Sequence, residues 1–426
     1  MTESFLQYVW KFRLLNKGLE TSEGESVKVI SPGDLNTDAG PDFYNARLVV
    51  GDITWVGTIE IHVKSSDWYL HGHTADKRYR NVILHVVYIH DRDVFLPDGR
   101  KLPVLVVDKF LSPDVLANFE SLMSPPAYSP IACSSFVSHI PDFLLSSYFE
   151  RLSVERIERK TNDVKRILNE CAEDWELATF LMTAHYFGGK VNGFPFEHLA
   201  KLLHRNILAR WRDNPMRIEA LLMGQAGFLD VDFVDDYPRA LKVDFESLSG
   251  GFNLPKMDPS QWKFFRIRPN GFPTVRISQF SHLICKTPHL FSSLISAEHV
   301  DQLLALLSLE ASDYWDNHFR FDTPSRKYKK RLGEGMAVSI LINAWIPILF
   351  EYGKSHSLPE YMDLAVDFLS SLGPESNSVV RLWQQSGVSV SNAAHSQGAL
   401  QLYDNYCIHK RCLDCRIGYH YLKNKK

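Results

Sequence analysis

Several features that would narrow the class of this protein are scarce or missing in its sequence. The 426 residues carry 47 Lys and Arg against 50 Asp and Glu, a net charge of −3, so no general basic surface for nucleic acid is expected. The sequence contains no run of about 18 uninterrupted apolar residues, so no membrane span is predicted. Six cysteines, three of them scattered singly, are not a secreted disulfide framework. We therefore expect a cytoplasmic protein with no membrane partner.

The N-terminal part of the sequence predicts one helix followed by a sheet. Residues 1–18 are amphipathic and lack the cleavage site of a signal peptide, and residues 3–16 are predicted to form a helix. Between residues 26 and 107, short segments rich in Val and Ile alternate with Gly-Asp and Pro-Asp-Gly turns. We predict an α+β module over residues 1–123, with a mixed sheet of about five strands.

The remainder of the chain reads as helical. Its length favours two or three domains. Residues 124–133, rich in Pro and Ser, are predicted to be a linker. From residue 134 to 426, apolar residues recur at three- and four-residue intervals, which predicts an all-α domain that ends in a cysteine cluster. The sequence has no repeat of fixed period, so a solenoid is not predicted. The pattern leaves the oligomeric state open.

Three ionisable residues alternate with apolar ones in one predicted strand. Glu60, His62 and Lys64 therefore share one face of that strand, and Asp42 follows a Gly-Pro turn upstream. One interpretation is the solvated face of an edge hairpin. The other is a metal site for phosphodiester hydrolysis, in which carboxylates hold Mg²⁺ or Mn²⁺ and a lysine orients water.

The order of these elements resembles the core of the PD-(D/E)XK nuclease superfamily. The resemblance implies that Asp42 is a metal ligand and that Lys64 is the catalytic lysine. His62 stands where the family has Asp or Glu, and Glu60 lies one pleat further back, so either residue could complete the metal site or act as a base. We expect Asp42, Glu60, His62 and Lys64 to converge in one cleft at the sheet edge.

A histidine-rich segment follows this strand. Imidazole is a common ligand for Zn, Mn and Fe, so a second candidate site consists of His71, His73, Asp76 and His85. The alternative is that the first two histidines lie on a polar loop and that His85 is a hydrogen-bonded sheet residue. Both candidate sites could share one cleft.

Two further clusters lie in the C-terminal half. The C-x-x-C pair near the end is a spacing used for Zn²⁺ and iron–sulfur clusters, and the candidate ligands are Cys407, Cys412, Cys415, His409 and Cys133. The alternative is that these are reduced cysteines that pack as small apolar residues.

Aromatic residues surround Arg266, Arg268 and Arg276, which suits either contact with nucleic acid or a buried structural turn.

From end to end, the sequence resembles a family of bacterial proteins defined by a domain of unknown function. The segments that carry the resemblance include "AGPDFYNA", "EIHVKSSDW" and "FRIRPNGFPTVRI". We predict a metal-dependent nuclease of PD-(D/E)XK type acting on a small or single-stranded nucleic acid. The alternatives are a non-catalytic scaffold that retains the fold, and a histidine-ligated metallohydrolase of small substrates.

Overall fold

The computed structural model describes residues 1–123, 130–252 and 254–423. Its strands are β1 (Val27–Ser31), β2 (Asp34–Leu35), β3 (Phe43–Val50), β4 (Ile53–Lys64), β5 (Val82–Ile89), β6 (Val104–Val106), β7 (His318–Arg320) and β8 (Thr323–Pro324). Its α-helices are α1 (Glu3–Lys11), α2 (Asp67–Leu70), α3 (Pro113–Met123), α4 (Asp142–Glu170), α5 (Trp175–Phe187), α6 (Gly189–Leu202), α7 (Arg205–Trp211), α8 (Pro215–Gln225), α9 (Asp236–Gly251), α10 (Pro273–Lys286), α11 (Leu290–Ile295), α12 (Val300–Leu306), α13 (Glu334–Ile340), α14 (Ile346–Ser355), α15 (Pro359–Ser371), α16 (Ser378–Gln385), α17 (Ala393–Leu402) and α18 (Arg416–Lys423).

The chain forms two compact units. The first comprises Met1–Leu145, Gln385–Val388 and Tyr403–Lys426, and the second comprises Ser146–Gln384 and Ser389–Leu402. The predicted α+β class, with a sheet near the N-terminus and a helical remainder, is confirmed. The C-terminal segment, which the sequence analysis grouped with the helical domain, belongs to the first unit. Within the predicted linker, residues 124–129 lie outside the described residues.

The sheet of the first unit is mixed and has β4 near its middle. Its strands run in the order β1-β3-β4-β5-β6, and the short β2 pairs with β3. The pairs β1/β3 and β3/β4 are antiparallel, whereas β4/β5 and β5/β6 are parallel. A parallel pair needs a crossover connection. Residues 65–81 provide it between β4 and β5, through α2 and the 3₁₀ helices His73–Ala75 and Lys77–Asn81.

Two glycines allow β3 and β4 to form a tight hairpin under the crossover. Gly51 has φ +59° in the two-residue turn that places Val50 opposite Ile53, as the sequence predicts. Gly57 lies where a Cβ atom would come within 2.6 Å of the Asn81 carbonyl oxygen, so a side chain there would push against the crossover. The hairpin and the crossover therefore pack closely at the middle of β4.

Helix α1 packs against the core of the sheet. Leu6 and Trp10 join a buried apolar cluster that includes Ile59 and Ile61 of β4. The helix ends at Lys11 rather than at the predicted residue 16, because the chain turns at Arg13, which has φ +52°. Alternation along β4 then directs Glu60 and His62 to the opposite side from Ile59 and Ile61.

In the part of the second unit that the structure describes, the regular elements are helices and the β7/β8 hairpin. One continuous helical stretch, Glu334–Ser355, is long and apolar enough to cross a membrane by length and composition, with a mean hydropathy of 1.4. It consists of α13, a π-helical turn at Leu341–Trp345 and α14. In the structure 67% of its most apolar window is buried, as is common for the core helix of a folded domain.

Candidate functional site

Two carboxylates meet where β3 begins beside β4. The backbone amide of Asp42 donates to Oε2 of Glu60 at 3.2 Å, and the amide of Ile61 donates to Oδ2 of Asp42 at 2.8 Å. From α1, the Gln7 side-chain amide donates to Oδ1 of Asp42 at 2.8 Å. The Gly-Pro-Asp turn places Asp42 at the start of β3, and the β3/β4 pairing brings it to Glu60. Glu60 is 4% exposed and Asp42 is half-buried, so this acidic pair is largely withdrawn from solvent.

Burial makes both carboxyl groups weak acids. Burial and then the charge of Glu60 raise the pKa of Asp42 from 3.8 to about 7. Burial also raises the pKa of Glu60 from 4.5 to about 8, although the hydrogen bond from Asp42 acts in the opposite direction. Two carboxylates this close in a low-dielectric environment destabilise one another unless a proton or a cation neutralises them.

Two histidines lie beside one oxygen of Glu60, and a third histidine lies beside them. Nε2 of His62 lies 3.4 Å from Oε1 of Glu60, and Nε2 of His73 lies 3.2 Å from the same oxygen. Nδ1 of His71 lies 3.1 Å from Nε2 of His62. Each of the three histidines offers one nitrogen, and these nitrogens all lie within 4.8 Å of one another. The three imidazoles thus converge on one small volume, and two of them lie beside the Glu60 oxygen.

His85 lies behind this group and orients it. Its Nε2 is 2.9 Å from Nδ1 of His62, which leaves Nε2 of His62 facing Glu60. Burial, followed by the neighbouring histidines, lowers the pKa of His62 to about 2 and that of His85 to about 3. Both rings are therefore neutral at physiological pH, and a neutral imidazole can offer a nitrogen lone pair to a metal ion. A hydrogen bond to the far nitrogen is how proteins fix the orientation of a histidine ligand.

The crossover segment covers the histidines and carries the remaining candidate residues. The Tyr79 ring stacks on His73 at 3.9 Å, and the buried Trp68 donates from Nε1 to the Thr74 hydroxyl at 3.0 Å. Asp76, predicted as a possible ligand, is instead bonded through Oδ2 to Nε of Arg78 at 2.9 Å. The hydrogen bonds from Arg78 lower the pKa of Asp76 to about 2. Asp76 therefore shapes the crossover through this ion pair.

Lys64 lies apart from the buried residues. It follows His62 on the same face of β4, one pleat further along, and it is exposed. Among the residues that the structure describes, none forms an ion pair or hydrogen bond with its ammonium group. The structure therefore brings Asp42, Glu60 and His62 together and leaves Lys64 at the rim.

The position of β4 corrects two expectations. β4 pairs with strands on both sides, so the site lies at the middle of the sheet and not at its edge. The interpretation that this face is solvated is wrong for Glu60 and His62, which are 4% and 1% exposed. The parallel pairing with β5 and the crossover above it, neither of which alternation alone predicts, bury this face.

The sequence pattern did not indicate the residues from α1 because they lie far from β4 along the chain. Gln7 binds Asp42 directly, and Glu3 lies close enough to raise the pKa of both acidic groups. Burial raises the pKa of Glu3, and His71 opposes this effect. The available signal was the spacing of Glu3 and Gln7, four residues apart on one face of the first helix.

The other predicted clusters lie elsewhere. All six cysteines are thiols, and Cys133 and the three C-terminal cysteines belong to the first unit. His409 is exposed on the loop between them. In the second unit, Arg276 is buried and donates to the Gln279 side chain at 3.0 Å, so of the two alternatives for this arginine the buried structural role holds and contact with nucleic acid does not. Arg266 and Arg268 remain exposed.

The donor set is suited to a transition metal. Three imidazoles and a carboxylate are ligands that Mn²⁺, Fe²⁺ and Zn²⁺ accept, whereas Mg²⁺ prefers oxygen donors alone. A metal ion binds an imidazole only through an unprotonated nitrogen, and the neutral His62 offers one. The buried carboxylate of Glu60 supplies a negative charge that a cation would neutralise. The residues present therefore fit a divalent cation bound by Glu60, His62, His71 and His73.

Taken together, the first unit defines an α+β protein with a buried carboxylate–histidine site on the central strand of a mixed sheet. The chain belongs to the family described as "Protein of unknown function (DUF2851)", whose model matches residues 3–378. The match covers the sheet, the site and most of the second unit. Comparison with curated proteins and with solved structures gives no match.

Proposed function

We propose that this protein is a metal-dependent phosphodiesterase that acts on nucleic acid, with its metal held by Glu60, His62, His71 and His73. The observation that carries the proposal is the convergence of three histidine nitrogens, two of which lie within 3.4 Å of Glu60, next to Asp42. A buried acidic pair with neutral imidazoles around it is destabilising by itself, and a divalent cation would offset this.

The order of the elements supports a PD-(D/E)XK type of site. An N-terminal helix, an antiparallel β1/β3/β4 meander and a crossover to the parallel strand β5 follow the order of that nuclease core as the sequence resemblance implies it. Asp42 enters the strand before the hairpin, and Lys64 lies on the strand after it. His62 occupies the position of the second acidic residue, so its imidazole takes the place of a carboxylate.

The side chains have separate tasks in this proposal. The metal ion would supply Lewis acidity and lower the pKa of a bound water. Asp42 holds Glu60 through its amide and adds negative charge next to the site. His85 keeps Nε2 of His62 directed inward. Lys64, exposed at the rim, would contact a phosphate oxygen and stabilise the charge that develops there.

The crossover supplies cations suited to a nucleic-acid backbone. Lys77, Arg78 and Arg80 are all exposed on the 3₁₀ helix Lys77–Asn81, which immediately follows the segment that carries His71 and His73. Because Arg78 is paired with Asp76, Lys77 and Arg80 supply the positive charge of this local basic surface, on a chain whose net charge is −3. Because charge on the phosphate backbone dominates the affinity of proteins for nucleic acid, this surface favours a polynucleotide over a neutral small substrate.

The test is cleavage of a fluorescent single-stranded oligonucleotide in Mn²⁺, with Zn²⁺ and Mg²⁺ compared. We expect activity in Mn²⁺ that Glu60→Gln abolishes and that Lys64→Ala lowers by about 100-fold or more, in line with the loss of one charge-stabilising group. Lys28→Ala, which removes an exposed lysine from β1, is the matched control and should keep full activity. Mn²⁺ binding without cleavage of any polynucleotide would contradict the proposal.

A histidine-ligated hydrolase of small substrates is the second candidate. It is favoured by the enclosure of the site, because His62 and His73 are 1% and 9% exposed and only His71 of the three is open to solvent. A narrow opening suits a small phosphodiester or ester. Hydrolysis of bis(p-nitrophenyl) phosphate that a single-stranded oligonucleotide does not inhibit would favour this candidate. Absence of both metal binding and hydrolysis would leave the non-catalytic scaffold.

A further inference from the structure

A cavity lies inside the second unit, enclosed by α5, α6, α7, α10 and the start of α11. Its volume is about 270 Å³, and we call it the helical cavity. Its apolar wall consists of side chains that are all at least nine-tenths buried, namely Ala200, Leu203, Leu208, Ile284 and Leu290. Its rim includes the exposed residues Asn206 and His289. Pockets that enclose drug-sized ligands measure about 300–1,000 Å³, so the helical cavity suits a smaller molecule.

Two polar atoms at the helical cavity are buried without a hydrogen bond. Among the described residues, none bonds Nε of Arg212 or Oγ1 of Thr287. Both side chains line the cavity, and Thr287 is 5% exposed. A terminal nitrogen of Arg212 donates to the carbonyl of Pro288 at 3.4 Å, so the guanidinium lies beside the segment that carries Thr287. Burying a polar group without a partner costs free energy, and these two atoms therefore point to a ligand that bonds both.

The charge available to such a ligand is that of one guanidinium. Arg212 is the one permanently charged cation among the described residues that line the cavity. Glu176 also lines it, but its carboxylate accepts from the amides of Leu290 and Phe291, at 2.5 and 3.2 Å. Over the described ranges of the chain, no carboxylate forms an ion pair with Arg212. A lone arginine offers a planar fork of donors that matches the two oxygens of one carboxylate.

We infer that the helical cavity binds a small monocarboxylic acid with an apolar body. The carboxylate accepts from Nε of Arg212 and from the hydroxyl of Thr287, and the hydrocarbon part lies against the apolar wall. A phosphate monoester carries a charge of about −1.5 to −2, of which one arginine would leave a part unbalanced in an apolar space. A neutral ligand would leave the guanidinium without an opposite charge. The carboxylate is thus the class of anion that matches this site.

This inference goes beyond the proposed hydrolysis and does not depend on it. All of its residues belong to the second unit, whereas the carboxylate–histidine site belongs to the first. Carboxylate binding without any hydrolysis would refute the proposed function alone. Hydrolysis without carboxylate binding would refute this inference alone.

The experiment is isothermal titration calorimetry of the full chain with sodium octanoate. EDTA is present throughout, so that no metal ion offers a second site for a carboxylate. We expect one octanoate per chain with a dissociation constant below about 1 mM. Octan-1-ol, which has the same chain length without the charge, should bind at least about 10-fold more weakly. Octyl phosphate should also bind at least about 10-fold more weakly, because its second charge is not balanced.

Three variants test the two polar residues. Arg212→Gln should weaken octanoate binding by about 10-fold or more, since it removes the charge-assisted bond. Arg210→Gln, at an exposed arginine two residues earlier, is the matched control and should leave the affinity unchanged. Thr287→Val keeps the branched side chain and removes the unbonded hydroxyl. It should weaken binding by about 3- to 10-fold and raise the melting temperature of the ligand-free protein, whereas loss of a structural hydrogen bond would lower that temperature.

The series of ligands on the unaltered protein decides the matter even where a variant fails to fold. Absence of saturable binding up to about 10 mM octanoate would overturn the inference, and so would octan-1-ol binding as tightly as octanoate. Tighter binding of octyl phosphate would overturn the carboxylate as the class of ligand. An unchanged affinity in folded Arg212→Gln would show that the guanidinium does not hold the carboxylate.

Discussion

Replacing Glu60 with Gln should stabilise the metal-free protein at alkaline pH. The substitution keeps the size of the side chain and leaves a carbonyl oxygen that can still accept from the Asp42 amide. It removes one of two buried acidic groups whose charges oppose one another. A residue that is destabilising in the folded protein, yet is placed at the centre of its sheet, is the signature of a binding site rather than of a structural contact.

The direction of the pH effect follows from the pKa values. In the folded protein the pKa of Asp42 is about 7 and that of Glu60 is about 8, above the ordinary 3.8 and 4.5. At pH values between the ordinary and the raised pKa of each group, the folded protein holds a proton that the unfolded chain has released. The free energy of unfolding therefore falls as the pH rises from about 4 to about 8. Glu60→Gln should remove the part of that fall that Glu60 and its repulsion of Asp42 cause, and the burial of Asp42 should leave the rest.

The size of the expected stabilisation follows from the repulsion between the two carboxylate charges. Two unit charges about 5 Å apart repel by about 3 kcal/mol at an effective dielectric constant of about 20. The variant should therefore exceed the original protein by about 3 kcal/mol at pH 9 and differ by less than about 1 kcal/mol at pH 5, where both groups are protonated. For a unit of this size, about 3 kcal/mol corresponds to a rise in melting temperature of about 6–12 °C.

The assay is differential scanning calorimetry of the protein in EDTA at pH 5, 7 and 9. Asp52→Asn, which removes an exposed carboxylate from the turn between β3 and β4, serves as the control and should show no such pH dependence. Mn²⁺ at about 100 times its dissociation constant should stabilise the original protein by about 2.7 kcal/mol at pH 9 and leave Glu60→Gln unchanged. A Glu60→Gln variant that is less stable at pH 9 than the original protein would refute the reasoning.

Three further substitutions test the parts that hold the site. Gly57→Ala should lower the melting temperature by an amount equivalent to about 2 kcal/mol, because its Cβ would meet the Asn81 carbonyl, whereas Gly373→Ala, with open space around it, should not. His85→Phe should weaken Mn²⁺ binding about 10- to 100-fold by calorimetric titration through the loss of its bond to His62, and unchanged affinity would contradict this role. Ser65→Ala should destabilise by about 2 kcal/mol in thermal unfolding, since its buried hydroxyl bonds Asp91 and Arg92, while Ser66→Ala at the neighbouring half-buried serine should change stability by less than about 1 kcal/mol.

The local elements of the first unit were predictable from sequence because their causes are local. Alternation placed Glu60, His62 and Lys64 on one face of a strand, and the Gly-Asp dipeptide predicted the two-residue hairpin turn. The class of fold followed from the change of period after residue 107. These features depend on neighbours within a few residues along the chain.

The surroundings of the site were not predictable in the same way. Whether a strand lies at an edge or in the middle depends on its partners, and β5 pairs with β4 only after a crossover of 17 residues, 65–81. Gln7 reaches Asp42 across 35 positions of sequence. The return of Tyr403–Lys426 to the first unit is a contact over still longer range, and no periodicity in a helical segment indicates which unit it will join.

The central position of β4 bears on the proposed nuclease-type site, in which the histidine at position 62 stands in place of a carboxylate. On an exposed edge strand, an imidazole in place of a carboxylate would be a loss, because water would compete for the metal. Buried and held by His85, His62 is neutral and directed at Glu60, whose oxygen lies 3.4 Å away. The imidazole therefore adds a nitrogen donor without adding a third negative charge to the Asp42–Glu60 pair. This arrangement favours Mn²⁺ over Mg²⁺, so the metal preference of the activity, more than its presence, tests whether His62 is a ligand.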